Sequence, residues 1–180
     1  MRAEKRGMPP LKALLKSATP GFREGFAIGC AIQSLLCKKR GELLDLSFAQ
    51  TTSADLKKML DGCERILLFA ATVGQAPDRM ILRHMRLSPY KTLLFQAAGS
   101  ERVEALCDLF CADMAREYGK KGFGLTPRFS PGYGDLPLSL QREVFAALMP
   151  ERHLGVTLNE SLLMSPSKSV TAIIGLRLKS

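Results

Sequence analysis

Residues 66–71 read Ile-Leu-Leu-Phe-Ala-Ala, an apolar run with no polar interruption. A strand with one wet face alternates in polarity. This run does not alternate, so it predicts a central strand covered on both faces. Such a strand obliges the rest of the chain to supply a layer on each side of its sheet. A length of 180 residues with 46% hydrophobic content is enough for one domain of that kind and too little for two well-buried ones. A mean hydropathy of +0.03 argues against disorder, and 15 Gly and 10 Pro are near average usage, which excludes collagen-like and low-complexity chains.

Other elements follow from local chemistry. Residues 10–17 have the composition of a short helix ended by Pro20 and Gly21. Two apolar runs, 28–37 and 42–50, flank the polar stretch Lys38-Lys39-Arg40-Gly41 and predict a hairpin, the first run being equally compatible in pattern with a helix and the second alternating Leu44, Leu46 and Phe48 against Asp45, Ser47 and Ala49. Ser53 is placed to cap a two-turn helix with Leu56, Met59 and Leu60 on its apolar face and Gly62 at its stop. Helical spacing resumes after Gly74. Ser88 followed by Pro89 opens a long helical stretch, in which Gly99 is a candidate bend and Leu106, Leu109, Phe110 and Met114 form an apolar stripe. The last third holds a Gly/Pro-rich loop, a helix over 138–149, a segment Leu-Gly-Val-Thr-Leu and a closing strand 169–178. Irregular interleaving of helices with strands, and recurring hairpins, predict an α+β fold: a twisted, largely antiparallel sheet flanked by helices. The expected organisation is a basic segment 1–50, helix and hairpin, built into the same domain as 51–180.

Charge is uneven. Residues 1–40 hold nine Lys/Arg against Glu4 and Glu24, which accounts for most of the net charge of +9. A basic start of this kind suits an acidic partner, nucleic acid or an anionic surface, but Phe22 and Phe26 are the only aromatic residues in it, so nucleic acid is the weakest of these expectations. The early uncharged stretch 25–37 is shorter than the roughly 20 residues of a spanning helix, and Pro9, Pro10 and Lys12 interrupt any signal-peptide core. The expectation is a cytoplasmic protein without a membrane partner. Five cysteines with no Cys-x-x-Cys pair, and two isolated histidines, predict buried thiols rather than disulfides or a zinc site, although Cys107 and Cys111 are four residues apart.

Phosphate-binding glycine loops, the Gly-x-Ser-x-Gly elbow and the His-Glu-x-x-His zinc motif are all missing from the sequence. The densest signal is Arg128-Phe-Ser130-Pro131-Gly132-Tyr133-Gly134-Asp135. Arg128 offers a planar fork for a carboxylate, Pro131 fixes one backbone angle, the glycines allow turns that side chains forbid, and Tyr133 adds an aromatic face.

Two ordered motifs then carry a resemblance. Arg-x-x-x-Gly-Tyr at Arg128, Gly132 and Tyr133, with Pro137 four residues on, is followed by Leu158, Glu160, Ser161, Met164, Pro166, Ser169 and Val170 in Leu-x-Glu-Ser-x-x-Met-x-Pro-x-x-Ser-Val. Together they resemble the activation domain of cobalamin-dependent methionine synthase, and Ala-Thr-Val-Gly at 71–74 is similar to short freestanding members of that family. The likeness spans roughly 55–176. It implies a site for S-adenosylmethionine in which Arg128 holds the amino-acid carboxylate, backbone groups of Ser130 and Gly132 shape the pocket, Tyr133 packs at its edge and Glu104 contacts the ligand from a helix. It further implies a methyltransferase role, the reductive methylation of cob(II)alamin. The cobalamin is expected on a corrinoid-binding partner or methionine synthase subunit, and the electron from a flavodoxin-like or ferredoxin-like donor. No acid/base pair is required, because the sulfonium and the cobalt carry the bond changes. The alternative reading is a non-catalytic docking protein for a corrinoid protein that has lost S-adenosylmethionine binding.

Overall fold

The computed structural model describes residues 29–179; the helix expected over 10–17 and most of the basic start lie outside them. The expected α+β architecture is present. Strand β1 (Gly29–Leu36) pairs antiparallel with β5 (Cys63–Thr72), β5 with β9 (Ser169–Leu178), and β9 with the short β6 (Phe123–Leu125), giving the order β1-β5-β9-β6. The run 66–71 lies in β5, as its lack of polarity requires. Alternate side chains go to opposite faces: Ile66, Leu68 and Ala70 join one apolar cluster, Leu67, Phe69 and Ala71 the other. Strand β9 divides in the same way, Ile173 to the first cluster and Ala172, Ile174 and Leu176 to the second.

Each face has its own cover. Leu56 and Leu60 of helix α1 (Ala54–Met59) and its cap, Leu44 of β3 (Leu43–Asp45), and Val144 and Leu148 of α4 (Gln141–Leu148) close the first cluster. Helix α3 (Pro89–Gly119) closes the second with Cys107, Phe110 and Met114, and the Phe110 ring stacks on Phe69 at 4.6 Å between centroids. Helix α2 (Ala76–His84) packs on the start of α3, where the His84 and Phe95 rings lie 5.0 Å apart. A short helix α5 (Pro150–Leu154) and a two-stranded ladder of β7 (Thr157–Leu158) with β8 (Met164–Ser165) complete the chain before β9.

Three sequence expectations are corrected. The hairpin at the start is shorter than expected: Lys38-Lys39-Arg40 is itself strand β2, paired with β3, which pairs in turn with β4 (Gln50–Thr51), while the first apolar run pairs with β5. Strand β2 is at the edge of its sheet, where lysines are accommodated in solvent and discourage pairing with a further strand, and Lys39 is held by Asp61 at 2.6 Å. The stripe of α3 runs through Gly99, Val103, Cys107, Phe110 and Met114, and Leu109 is 53% exposed. Gly99 lies within an uninterrupted helix, and its role is close approach: a Cβ there would meet Pro77 and Lys168 side chains at 3.1–3.2 Å.

Ser53 caps α1, accepting the Leu56 amide at 3.0 Å. It is held in turn by Asp135, whose carboxylate accepts from the Ser53 hydroxyl and from the Ala54 amide at 2.6 Å. These bonds, the Ser53 hydroxyl first and the Ala54 and Asp55 amides after it, pull the Asp135 carboxyl below its ordinary value of 3.8. A depressed pKa contributes stability that is present above 3.8 and is lost as pH falls through that value toward the folded one. Asp135→Asn is therefore expected to lower stability in urea unfolding at neutral pH, with a difference from wild type that shrinks below about pH 4. A constant difference across that range would contradict the role given to the carboxylate.

Candidate functional site

The site lies at the far edge of the sheet. After β6 the chain continues beside β9 in irregular form: the Thr126 amide donates to the Gly175 carbonyl at 3.0 Å, and Phe129 and Ile173 exchange two backbone bonds of 2.8–2.9 Å. Phe129 packs against the first cluster. Its neighbour Arg128 is thereby turned toward α3, where its guanidinium Nη2 donates to Glu104 Oε2 at 2.9 Å and to Asp108 Oδ1 at 3.1 Å. Glu104 and Asp108 are one helical turn apart, so both reach one cation.

Arg128 is only 26% exposed, while Glu104 and Asp108 are 56% and 73% exposed. Burial disfavours the guanidinium charge, but the bond to Glu104 and the nearby Cys107 and Cys111 sulfurs outweigh it and raise the Arg128 pKa above its ordinary value. The thiols behave in the opposite sense. Burial pushes Cys107 and Cys30 up to about 12 and Cys37 to about 11, so they remain protonated at neutral pH. Alkylation by iodoacetamide at about pH 8 is expected to be slow in the native protein and fast after denaturation. Rapid native labelling of Cys107 would contradict its place on the buried face of α3.

Beyond Arg128 the loop turns back on itself. The Tyr133 amide donates to the Ser130 carbonyl at 3.1 Å, and the Gly132 amide donates to the Leu136 carbonyl at 2.9 Å. Gly132 has φ of +90°, and a Cβ there would meet Leu138 Cδ1 at 3.2 Å, so glycine is required by backbone and space together. The loop faces a groove of about 410 Å³, within the range of small-molecule sites. Glu104 and Arg128 are its charged lining residues; Ser130 and Tyr133 stand on the loop side, and Met164, Ser169 and Val170 on the other.

Four of the five residues singled out from the sequence, Glu104, Arg128, Ser130 and Tyr133, thus line one groove. Gly132 is not among the lining residues; its amide is committed to Leu136, and it shapes the turn. The second motif divides similarly. Met164, Ser169 and Val170 line the groove, Pro166 is buried, and Glu160 and Ser161 are exposed. The Ser169 hydroxyl donates to the Pro166 carbonyl at 2.7 Å and meets the Thr72 hydroxyl at 2.9 Å, which joins this motif to the Ala-Thr-Val-Gly stretch across the β5–β9 ladder. Gln141 and Thr171 were not foreseen. Thr171 donates to Gln141 Oε1 at 2.9 Å, both are buried, and both line the groove. A glutamine opening an amphipathic helix gives no sequence signal that it will be drawn inward. Among the described residues no group of three or more His, Cys, Asp or Glu converges to hold a metal ion, and no described helix is long and apolar enough to cross a membrane.

No protein-family profile matches the sequence, and no curated protein matches it. Among solved structures, the fold is similar to the crystal structure of the MetH reactivation domain bound to AdoHcy, with a TM-score of 0.64 and 15% identity. The match covers 94% of this chain and 64% of that one. At this identity the likeness establishes a shared fold alone.

Proposed function

We propose that the groove binds S-adenosylmethionine and that the chain serves as a reactivation module, enabling reductive methylation of a corrinoid carried by a partner methionine synthase or corrinoid methyltransferase. One observation carries the reading: residues of two motifs some thirty residues apart in the sequence line the same groove together with Glu104. The similar MetH domain, bound to AdoHcy, supports it as well.

The residues fit such a ligand. Arg128 uses one nitrogen for its two acids, and a guanidinium has five N–H donors, so donors remain for an amino-acid carboxylate. Glu104 is an acceptor for the ammonium. Leu138, Leu162, Met164 and Val170 supply apolar wall for the adenosine, and Tyr133, 71% exposed, an aromatic edge. The chain's own work is to bind and orient: it holds the methyl donor in one pose, and proximity does the rest. The corrinoid, when docked, supplies the cobalt nucleophile, with its electron from a flavodoxin-like or ferredoxin-like donor. Titration of the full chain with S-adenosylmethionine in a calorimeter tests the binding step: saturable one-site heat is expected, and no heat up to millimolar ligand would refute it.

The docking alternative has an observation of its own. Between residues 79 and 100 there is no Asp or Glu, and Arg79, Arg83, Arg86 and Lys91 stand among exposed Leu82, Met85, Leu87, Tyr90, Leu93 and Leu94. Arginine, methionine and tyrosine are the residues enriched in protein interfaces. This face of α2 and α3 suits an acidic partner whether or not the groove is filled.

A further inference from the structure

We infer that the groove selects by charge, holding the sulfonium form of its adenosyl ligand more tightly than the neutral thioether that remains after methyl transfer; this rests on the binding reading above. The observation is an imbalance. Among the described residues lining the groove Arg128 is the only cation, and it is bonded to two carboxylates, Glu104 in the lining and Asp108 outside it. The three groups together carry a formal charge of −1.

S-adenosylmethionine has a carboxylate, an ammonium and a sulfonium, and so a net charge of +1. When the methyl leaves, the S–CH₃ bond breaks with its electron pair kept by sulfur, and the product is neutral overall. A site that is negative on balance attracts the donor and gains nothing from the product, which favours product release after each transfer. The carboxylates are more than half exposed, so the effect is a modest one, about fivefold at low ionic strength, and salt diminishes it.

Asp108 is the residue that separates this idea from simple contact. It does not line the groove, so Asp108→Asn changes the local charge without removing a wall. The experiment is calorimetric titration of the full chain with three compounds: S-adenosylmethionine, S-adenosylhomocysteine, and sinefungin, which keeps a cationic centre without a transferable methyl. Expected are similar Kd values for the two cations and an approximately fivefold weaker value for the thioether. Asp108→Asn should reduce that ratio toward one, and Asp108→Glu should restore it. A merely structural role for Asp108 would weaken all three ligands by the same factor. Equal Kd values in the wild type, or a ratio unchanged in Asp108→Asn, overturn the inference and leave the groove reading intact; failure of all three compounds to bind overturns both.

Discussion

Arg128→Ala is expected to remove half or more of the thermal stabilisation that S-adenosylmethionine confers on the wild-type chain. At a ligand concentration about a hundred times Kd, binding adds about 2.7 kcal/mol to folding, which for a chain of this size raises Tm by about 5–10 °C. A hydrogen bond to a charged group is worth about 1.5–3 kcal/mol, so loss of the guanidinium weakens binding by at least tenfold and toward a hundredfold. The shift should fall to about 1–6 °C. The substitution is clean because the acids left behind, Glu104 and Asp108, are mostly exposed, and losing exposed ion pairs costs about 0–1 kcal/mol. Arg128→Lys keeps the charge and loses the planar fork, and should recover only part of the shift. An unaltered shift in Arg128→Ala would mean that the ligand binds elsewhere.

The largest effect on stability is expected at Phe69. Its side chain is fully buried in the central strand β5 and stacked on Phe110 of α3. Phe69→Ala removes a ring that the close-packed second cluster cannot refill, at a cost of about 3–5 kcal/mol. Against a total stability of about 5–15 kcal/mol, that lowers Tm by roughly 6–20 °C or prevents folding. Phe69→Leu keeps most of the volume and should lose less, which preserves a measurable variant if alanine does not fold. Leu93→Ala, at a residue 68% exposed, should change stability by no more than about 0.5 kcal/mol. A Phe69→Ala chain as stable as Leu93→Ala would contradict the two-sided burial of β5.

How much of this was legible in the sequence depended on the range of the interactions involved. Strand β5 was legible because burial on both faces removes every polar residue from 66–71, and the start of α3 because Ser88 and Pro89 form a local cap. The buried face of α3 was legible only in part: Phe110 and Met114 of the expected stripe are buried. Its contact positions include Gly99 and Cys107, small residues that a search for large apolar side chains passes over, while Leu93, Leu94 and Leu109 are large and face outward. Strand β2 was read as a turn because its lysines carry no hydrophobic pattern; its pairing with β3 satisfies backbone groups whose partners no local composition reveals.

The site shows the same division. Arg128, Ser130, Gly132 and Tyr133 lie on one loop and could be read together. Glu104 reached the site through resemblance alone. Asp108 and Gln141 depend on how α3 and α4 are rotated against the sheet, a tertiary matter that a single sequence does not encode in any one segment.

A crystal of the full chain grown with S-adenosylmethionine decides the central claim. The account predicts the adenosyl ligand in the groove with its carboxylate within hydrogen-bond distance of the Arg128 guanidinium. Density for the ligand elsewhere, or an empty groove with Arg128 still bonded only to Glu104 and Asp108, would contradict it.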